Sequence, residues 1–369
     1  MKQYKLLILL LFIGLFSCNK DYLNPTPKTS LSSSEAFNTP ERIKSLLFGI
    51  YDGVKGGNYY GSRFIVYQDI RGEEFLNELN NAVTGLQTWN HTVNSNTTEV
   101  NTLWEQCYKT INSCNIFIDG LEKNKAILNN ATLADNYTGE ALFIRALCYY
   151  SLMSIYAAPY ADGNGSKNGV ILRLKPEVDD SGNDLARSTV AECFTQIISD
   201  LNAAEAKLPA TYTTASDNII RAHKNSAIAL KTRVYLAQQK WADVITEANK
   251  IVPLVAPFAA SSGVKHTLNA NVADTYLKNS TLESIFSLPY TDIDAPGTQN
   301  ALAHYWTAPT KGNGEYSLNS SGILGDSINF RVADSRRNLI LKSGTKYYLN
   351  KFPNAPGAAQ WVYTPTLEN

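Results

Sequence analysis

Net charge is the first thing this sequence lacks. Its 33 basic and 33 acidic residues cancel, so no bulk field draws it to nucleic acid or to an anionic membrane surface. A small or neutral partner is expected. Metal chemistry is equally thin: the four histidines, His91, His223, His266 and His304, are scattered, with no HExxH or other ligand pair at helical spacing. None of the five cysteines forms a CxxC or a zinc-spaced cluster. Cys107 and Cys114 lie seven apart on one expected helix, about 10 Å by its rise, too far to bridge each other. With Cys148 and Cys193 they read as buried free thiols, a pairing between helices being the alternative. There is no P-loop, GxGxxG or GxSxG. Ser262 and Lys265 match S-x-x-K in letters alone, within a Ser/Gly-rich loop. Asp292-x-Asp294 lacks the other ligands of a calcium loop and reads as a polar turn. No cofactor, metal or catalytic residue is therefore assigned.

A long hydrophobic run is also missing. Leu6 to Phe16 is too short to span a bilayer and follows Lys2 and Lys5, so it reads as an export signal. Leu15-Phe-Ser-Cys18 closes it and resembles a bacterial lipobox, with residues 1–17 as signal peptide and Cys18 as the lipid-anchor residue. Two or three acyl chains there would hold the chain firmly on a membrane. Residues 18–34, polar and carrying Pro25 and Pro27, read as a lipidated tether.

What the chain does have is apolar content and tyrosine. At 369 residues and 44% hydrophobic it can bury a large core. Its 21 tyrosines exceed what a helical core needs, and each offers a flat apolar face with a hydrogen-bonding rim, suited to sugar rings and to protein partners. Between Gly139 and Tyr156, the positions Leu142, Ala146, Tyr149, Met153 and Tyr156 recur at one helix face, with Phe143, Leu147 and Tyr150 beside them. Such a helix is apolar over most of its girth and must pack between other helices. Arg145 inside it requires a carboxylate or carbonyl partner. Residues 219–252 read as an antiparallel helix pair of tetratricopeptide type. Ala222, Ala227, Ala229 and Ala237 permit close approach, Trp241 caps the crossing and Pro253 ends the pair. Thr39-Pro40 starts an earlier helix, Trp104 to Lys123 forms another, and Thr189-x-x-Glu192 is a capping box. Asn58 to Glu99 loses regular pattern, and Pro253 to Asn369 is rich in turn residues with short apolar runs such as Ser284 to Pro289.

Gly139-Glu-Ala-x-Phe-x-Arg-Ala-x-x-Tyr-Tyr-x-Leu, followed by Tyr-x-x-Pro159, resembles the signature of the SusD/RagB family of outer-membrane nutrient-binding lipoproteins. Leu46 to Tyr51, Trp104-x-x-x-Tyr108-x-x-Ile111-x-x-Cys-Asn115, Ile197 to Leu201 with Leu208-Pro209, Lys224 to Leu236, Glu283 to Phe286 and Asp334-Ser-Arg336 continue it in order, over roughly residues 15 to 352. The resemblance implies a mainly α fold: a tetratricopeptide-like scaffold of helical hairpins at about 38–252, with long irregular loop-rich insertions, few short strands, and a loop-rich ligand- and transporter-facing part at about 253–369. Together these make one SusD-like domain from 35 to 369. Members usually continue into further helices, so the C-terminus is expected to be truncated.

What the resemblance implies for function is a protein lipid-anchored in the outer membrane and facing the cell surface. It captures an oligosaccharide, or alternatively a peptide, and delivers it to a SusC-like TonB-dependent transporter. The two irregular segments would form its ligand face. From residue type and region, Trp89 and Trp306 are candidate stacking platforms, Arg71 and Asn90 candidate hydroxyl partners, and Tyr60 and Tyr305 further candidates. One rival is a glycoside hydrolase using two of Asp69, Glu73 and Glu74. The other is a protein-interaction scaffold without a small ligand.

Overall fold

The computed structural model describes residues 35–352 except 257, 261, 277–279, 292 and 298, together with the backbone of 363–368. The signal segment, Cys18, the tether and Asp292 lie outside the described residues. Helices dominate and strands are few and short, as expected. Pro40–Lys55 (α1) begins with Thr39 accepting from the Arg42 amide and proline in the first turn. Arg63–Ile70 (α2) and the single turn Leu86–Trp89 (α3) follow, then the long Thr98–Asn124 (α4) and Ala131–Tyr156 (α5). Val190–Lys207 (α6) carries the Thr189–Glu192 capping box anticipated from sequence. Asp217–Ile220 (α7), Lys224–Ala237 (α8), Trp241–Ala248 (α9) and Leu302–Trp306 (α10) complete the series.

The central strut is α5. Its girth is buried on nearly every side by α4, α6 and α1, which is what two adjacent apolar stripes demand. Gly139 sits where α5 meets the end of α6: a Cβ there would come 3.0–3.1 Å from Leu208 and Lys207. Arg145 answers its burial with a fork. Nε and Nη2 donate to the two Asp200 oxygens at 2.8 and 2.7 Å, and Nη1 donates to Asn115 Oδ1 at 2.8 Å. Burial works against the guanidinium charge, and the Asp200 contact more than restores it. One side chain thus joins α4, α5 and α6. A second buried pair, Glu140 with Arg221, binds α5 to the entry of α8, and Tyr51 of α1 donates to Glu140 Oε2 at 2.6 Å.

The strands are Phe75–Asn77 (β1), Ser284–Pro289 (β2), Tyr316–Leu318 (β3), Ile340–Ser343 (β4), Lys346–Leu349 (β5) and Tyr363–Glu368 (β6). One antiparallel sheet runs β1-β3-β5-β4; β2 and β6 pair separately. Phe75 opposes Leu318 in register, so the early irregular segment and the late one are stitched together by backbone hydrogen bonds.

Three expectations are corrected. Residues 58–99 hold α2, missed because Phe64, Val66, Tyr67 and Ile70 bury it over most of its girth and blur the amphipathic period. The pair at 219–252 is shorter: His223 caps α8, and α9 ends at Ala248, well before Pro253. Trp241 is 57% exposed and caps nothing. That crossing is held by charge, with the buried Lys231 ammonium of α8 reaching Glu247 of α9 at 3.0 Å and pairing with Glu205 of α6. Cys107, Cys114, Cys148 and Cys193 are buried free thiols, and burial pushes each of them up, away from the reactive thiolate.

Removing Arg145 alone strands the Asp200 charge in the core. Arg145→Met is expected to cost about 3–5 kcal/mol in guanidinium unfolding, and adding Asp200→Leu to recover most of it. A single-variant loss below about 1 kcal/mol contradicts the assignment.

Candidate functional site

The β1–β3 junction places two parts of the chain around one open cavity of about 430 Å³. Asp69, at the end of α2, and Glu74 and Phe75, entering β1, form one wall. Tyr276, Phe330, Arg336 and Lys351 come from the later segment. Three half-buried rings therefore face a space of small-ligand size. Each ring is fixed by a neighbour. Phe75 packs against Trp306 with ring centroids 4.6 Å apart and planes at 39°, Tyr276 lies under the Lys351 ammonium at 5.2 Å, and Phe330 is covered by Arg337 at 4.3 Å.

The cavity's charges balance, two carboxylates against two cations, but they are not all paired. Arg336 is held by Asp334, Nη2 to Oδ2 at 2.6 Å, and Glu74 Oε2 accepts from the Ile323 amide at 2.9 Å. The Asp69 carboxylate accepts no hydrogen bond and has no ion-pair partner among the described residues, and Lys351 has no carboxylate in ion-pair contact there. Asp69 keeps an open edge to solvent, yet the surrounding wall raises its carboxyl to about 6, with Lys351 opposing the shift. Burial likewise lowers the Lys351 ammonium, with Asp69 opposing. A free acceptor and a free donor beside aromatic faces can take hydroxyl groups from a neutral ligand whose apolar face stacks.

The residues singled out from sequence fall differently. The two irregular segments do meet, but Trp306 and Tyr305 are fully buried and Tyr60 nearly so. Trp306 packs among Phe75, Tyr305 and Tyr316; Tyr305 donates to the Gln299 carbonyl; Tyr60 packs on Tyr59 and Phe64. None of these three presents a ring to solvent. Trp89 is half-buried and its Nε1 donates to the Phe75 carbonyl at 2.8 Å. The two indoles, expected as platforms, brace Phe75 from behind. Asn90 is exposed, its Oδ1 accepting from Thr92, and exposed Arg71 donates to the Ser154 carbonyl at 3.3 Å. Neither lines the cavity. Sequence reasoning passed over Phe75, Tyr276, Phe330 and Lys351, whose only signal was position beside the irregular stretches. Asp294, half of the calcium-like pair, is engaged by Lys55. Among the described residues no three His, Cys, Asp or Glu side chains are grouped to hold a metal ion.

The comparisons with known proteins agree with this architecture. A family model described as starch-binding associating with outer membrane, of SusD-like type, matches residues 21–236. The chain belongs to the SusD-like family. This is a carbohydrate-binding family. A SusD superfamily structure from Bacteroides fragilis is 29% identical, with a TM-score of 0.77 over 90% of this chain and 73% of that one. A laminarin-binding SusD-like protein superposes with a TM-score of 0.69 at 17% identity, over 90% of this chain and 78% of that one. A curated SusD-like protein of Formosa agariphila is 23% identical over 320 residues, 83% of this chain, which spans 55% of that relative's length. No described helix is long and apolar enough to cross a membrane.

Behind the cavity, β3 is anchored by Glu315. Its carboxyl is wholly buried, Oε1 accepting from the Thr84 hydroxyl and Oε2 lacking a hydrogen-bond partner 3.7 Å from His304 Nε2, which lacks one too. Burial pushes Glu315 up to about 7, against Asn81 and Arg63. The folded chain therefore holds this proton more tightly than the unfolded one, whose carboxyl titrates near about 4.3, and stability falls as pH rises from there through about 7. Glu315→Gln removes that slope and supplies an N–H for His304. The variant is expected to melt above the native chain at about pH 8 and close to it at about pH 5; equal melting points at both contradict the assignment.

Proposed function

We propose that this chain is a surface-exposed, lipid-anchored glycan-binding protein. Residues 35–369 would act as one SusD-like domain behind the Cys18 tether, capturing an oligosaccharide and delivering it to a SusC-like TonB-dependent transporter in the outer membrane. The observation that carries the binding step is the cavity itself: three braced aromatic faces beside an unpaired carboxylate and an unpaired ammonium, with no net charge. A pyranose has apolar C–H faces and an equatorial belt of hydroxyls, so it can stack on the rings while donating to Asp69 and accepting from Lys351. Family membership supports the anchor and the transporter, as does the lipobox-like Leu15-Phe-Ser-Cys18. Binding needs no covalent step.

One observation favours a second reading. Asp69, poised near about 6, and Glu74 line the same cavity, the kind of carboxylate pair a glycoside hydrolase uses. Glu74 is tied to the Ile323 amide, which favours a structural use for it. The two readings part on product.

Calorimetry of the full-length chain with laminarin- and starch-derived oligosaccharides is expected to show binding without release of reducing ends. Phe75→Ala or Tyr276→Ala should weaken it by about 0.5–1.5 kcal/mol. Appearance of new reducing ends transfers the assignment to the hydrolase. Binding is also expected to weaken as pH falls through about 6, where Asp69 takes up its proton, and Asp69→Asn should flatten that profile; an unaltered profile in the variant removes Asp69 from the site.

A further inference from the structure

A second cleft, of about 410 Å³, opens on the outer side of α4 and shares no lining residue with the first. Its floor is an aromatic pair, Trp104 and Tyr108, one helical turn apart, with ring centroids 4.7 Å apart and planes at 44°. Both residues are half-buried and both line the cleft. They are also fixed. Tyr108 Oη donates to the Ile171 carbonyl at 2.8 Å and accepts from the Ile171 amide at 3.0 Å. Tyr156 meets the Trp104 indole edge-on at 5.1 Å and 88°, and its own hydroxyl is spent on the Val100 carbonyl.

The rim is polar and equally anchored. Asn112 exchanges two hydrogen bonds with the backbone of Glu177, both 2.8 Å, which pins the 171–183 segment to α4. The Glu177 carboxylate pairs with Arg173 at 2.9 Å. On the same helix face Glu105 and Lys109 are exposed and, among the described residues, make no side-chain hydrogen bond or ion pair. The cleft thus has a rigid aromatic bed, one free acceptor, one free donor and no net charge.

We propose that this cleft is a second carbohydrate subsite, which stacks one neutral hexopyranose ring on Trp104 and Tyr108 while Glu105 and Lys109 take its hydroxyls. Because the bed is already ordered, stacking sacrifices little side-chain freedom. Binding at a single ring is weak, and its use would be to hold a second stretch of a polymer whose other part occupies the cavity, raising the local concentration of sugar there. A protein partner laid on the same aromatic pair is the competing occupant.

The test is a titration of the full-length chain, labelled at its indole nitrogens, with methyl glucoside, methyl galactoside and methyl mannoside, following the Trp104 signal assigned through Trp104→Phe. At least one pyranoside is expected to shift that signal saturably. The exposed double variant Glu105→Ala with Lys109→Ala should weaken the response threefold or more, and Phe75→Ala, in the first cavity, should leave it intact. A Trp104 signal unmoved by all three sugars at tens of millimolar overturns the proposal, and so does a shift that disappears in Phe75→Ala, which would mean a sugar bound only in the first cavity.

Discussion

A guanidinium in the middle of a helix buried over most of its length has no neutral form to retreat to, and the surrounding structure is arranged around that fact. Arg145 cannot be buried unless a carboxylate and a carbonyl oxygen reach it from other elements. Asp200 comes from α6 and Asn115 from α4, so satisfying one charge sets the mutual position of three helices. The same demand continues outward: the Asn115 amide donates to the carbonyls of Arg173 and Lys175, fixing the segment that walls the cleft beside Trp104 and Tyr108. A buried polar network of this kind specifies geometry more than it adds stability. Here the geometry it specifies reaches the protein's exterior.

Aromatic residues divide their labour in the same way. Trp306, Tyr305 and Tyr316 are wholly buried and stand behind the half-buried Phe75. Trp306 supports Phe75 by a tilted ring contact and Trp89 holds the Phe75 backbone through its indole N–H. A ligand face built on half-buried rings needs such backing, since an unbraced ring would lose conformational freedom on binding.

The scaffold was legible because its signals are local. Helical spacing marked α4, α5 and α6, a Thr-Pro start marked α1, a capping box marked α6, and an isolated arginine announced its own partner. The site was not legible for the opposite reason. Whether Trp306 is a platform or a buttress depends on which residue lies against it, and Phe75 is more than two hundred positions away in the chain. Indole type and irregular neighbourhood suggested exposure; the β1–β3 pairing decided otherwise. α2 went unseen because burial over most of its girth blurs amphipathic period. Trp241 was misplaced because a short turn between helices looked as if it needed a cap, while Lys231 with Glu205 and Glu247 already held the crossing.

Buried polar contacts fix a helical frame on which distant irregular segments assemble a sugar-sized aromatic cavity. A crystal structure of the chain grown with a laminarin-derived oligosaccharide tests it most directly. A pyranose ring is expected against Phe75, with hydroxyls within hydrogen-bond reach of Asp69 and Lys351 and with Trp89 and Trp306 untouched behind it. A sugar lying directly on the Trp306 indole, or a cavity left empty while sugar binds at Trp241, would contradict it.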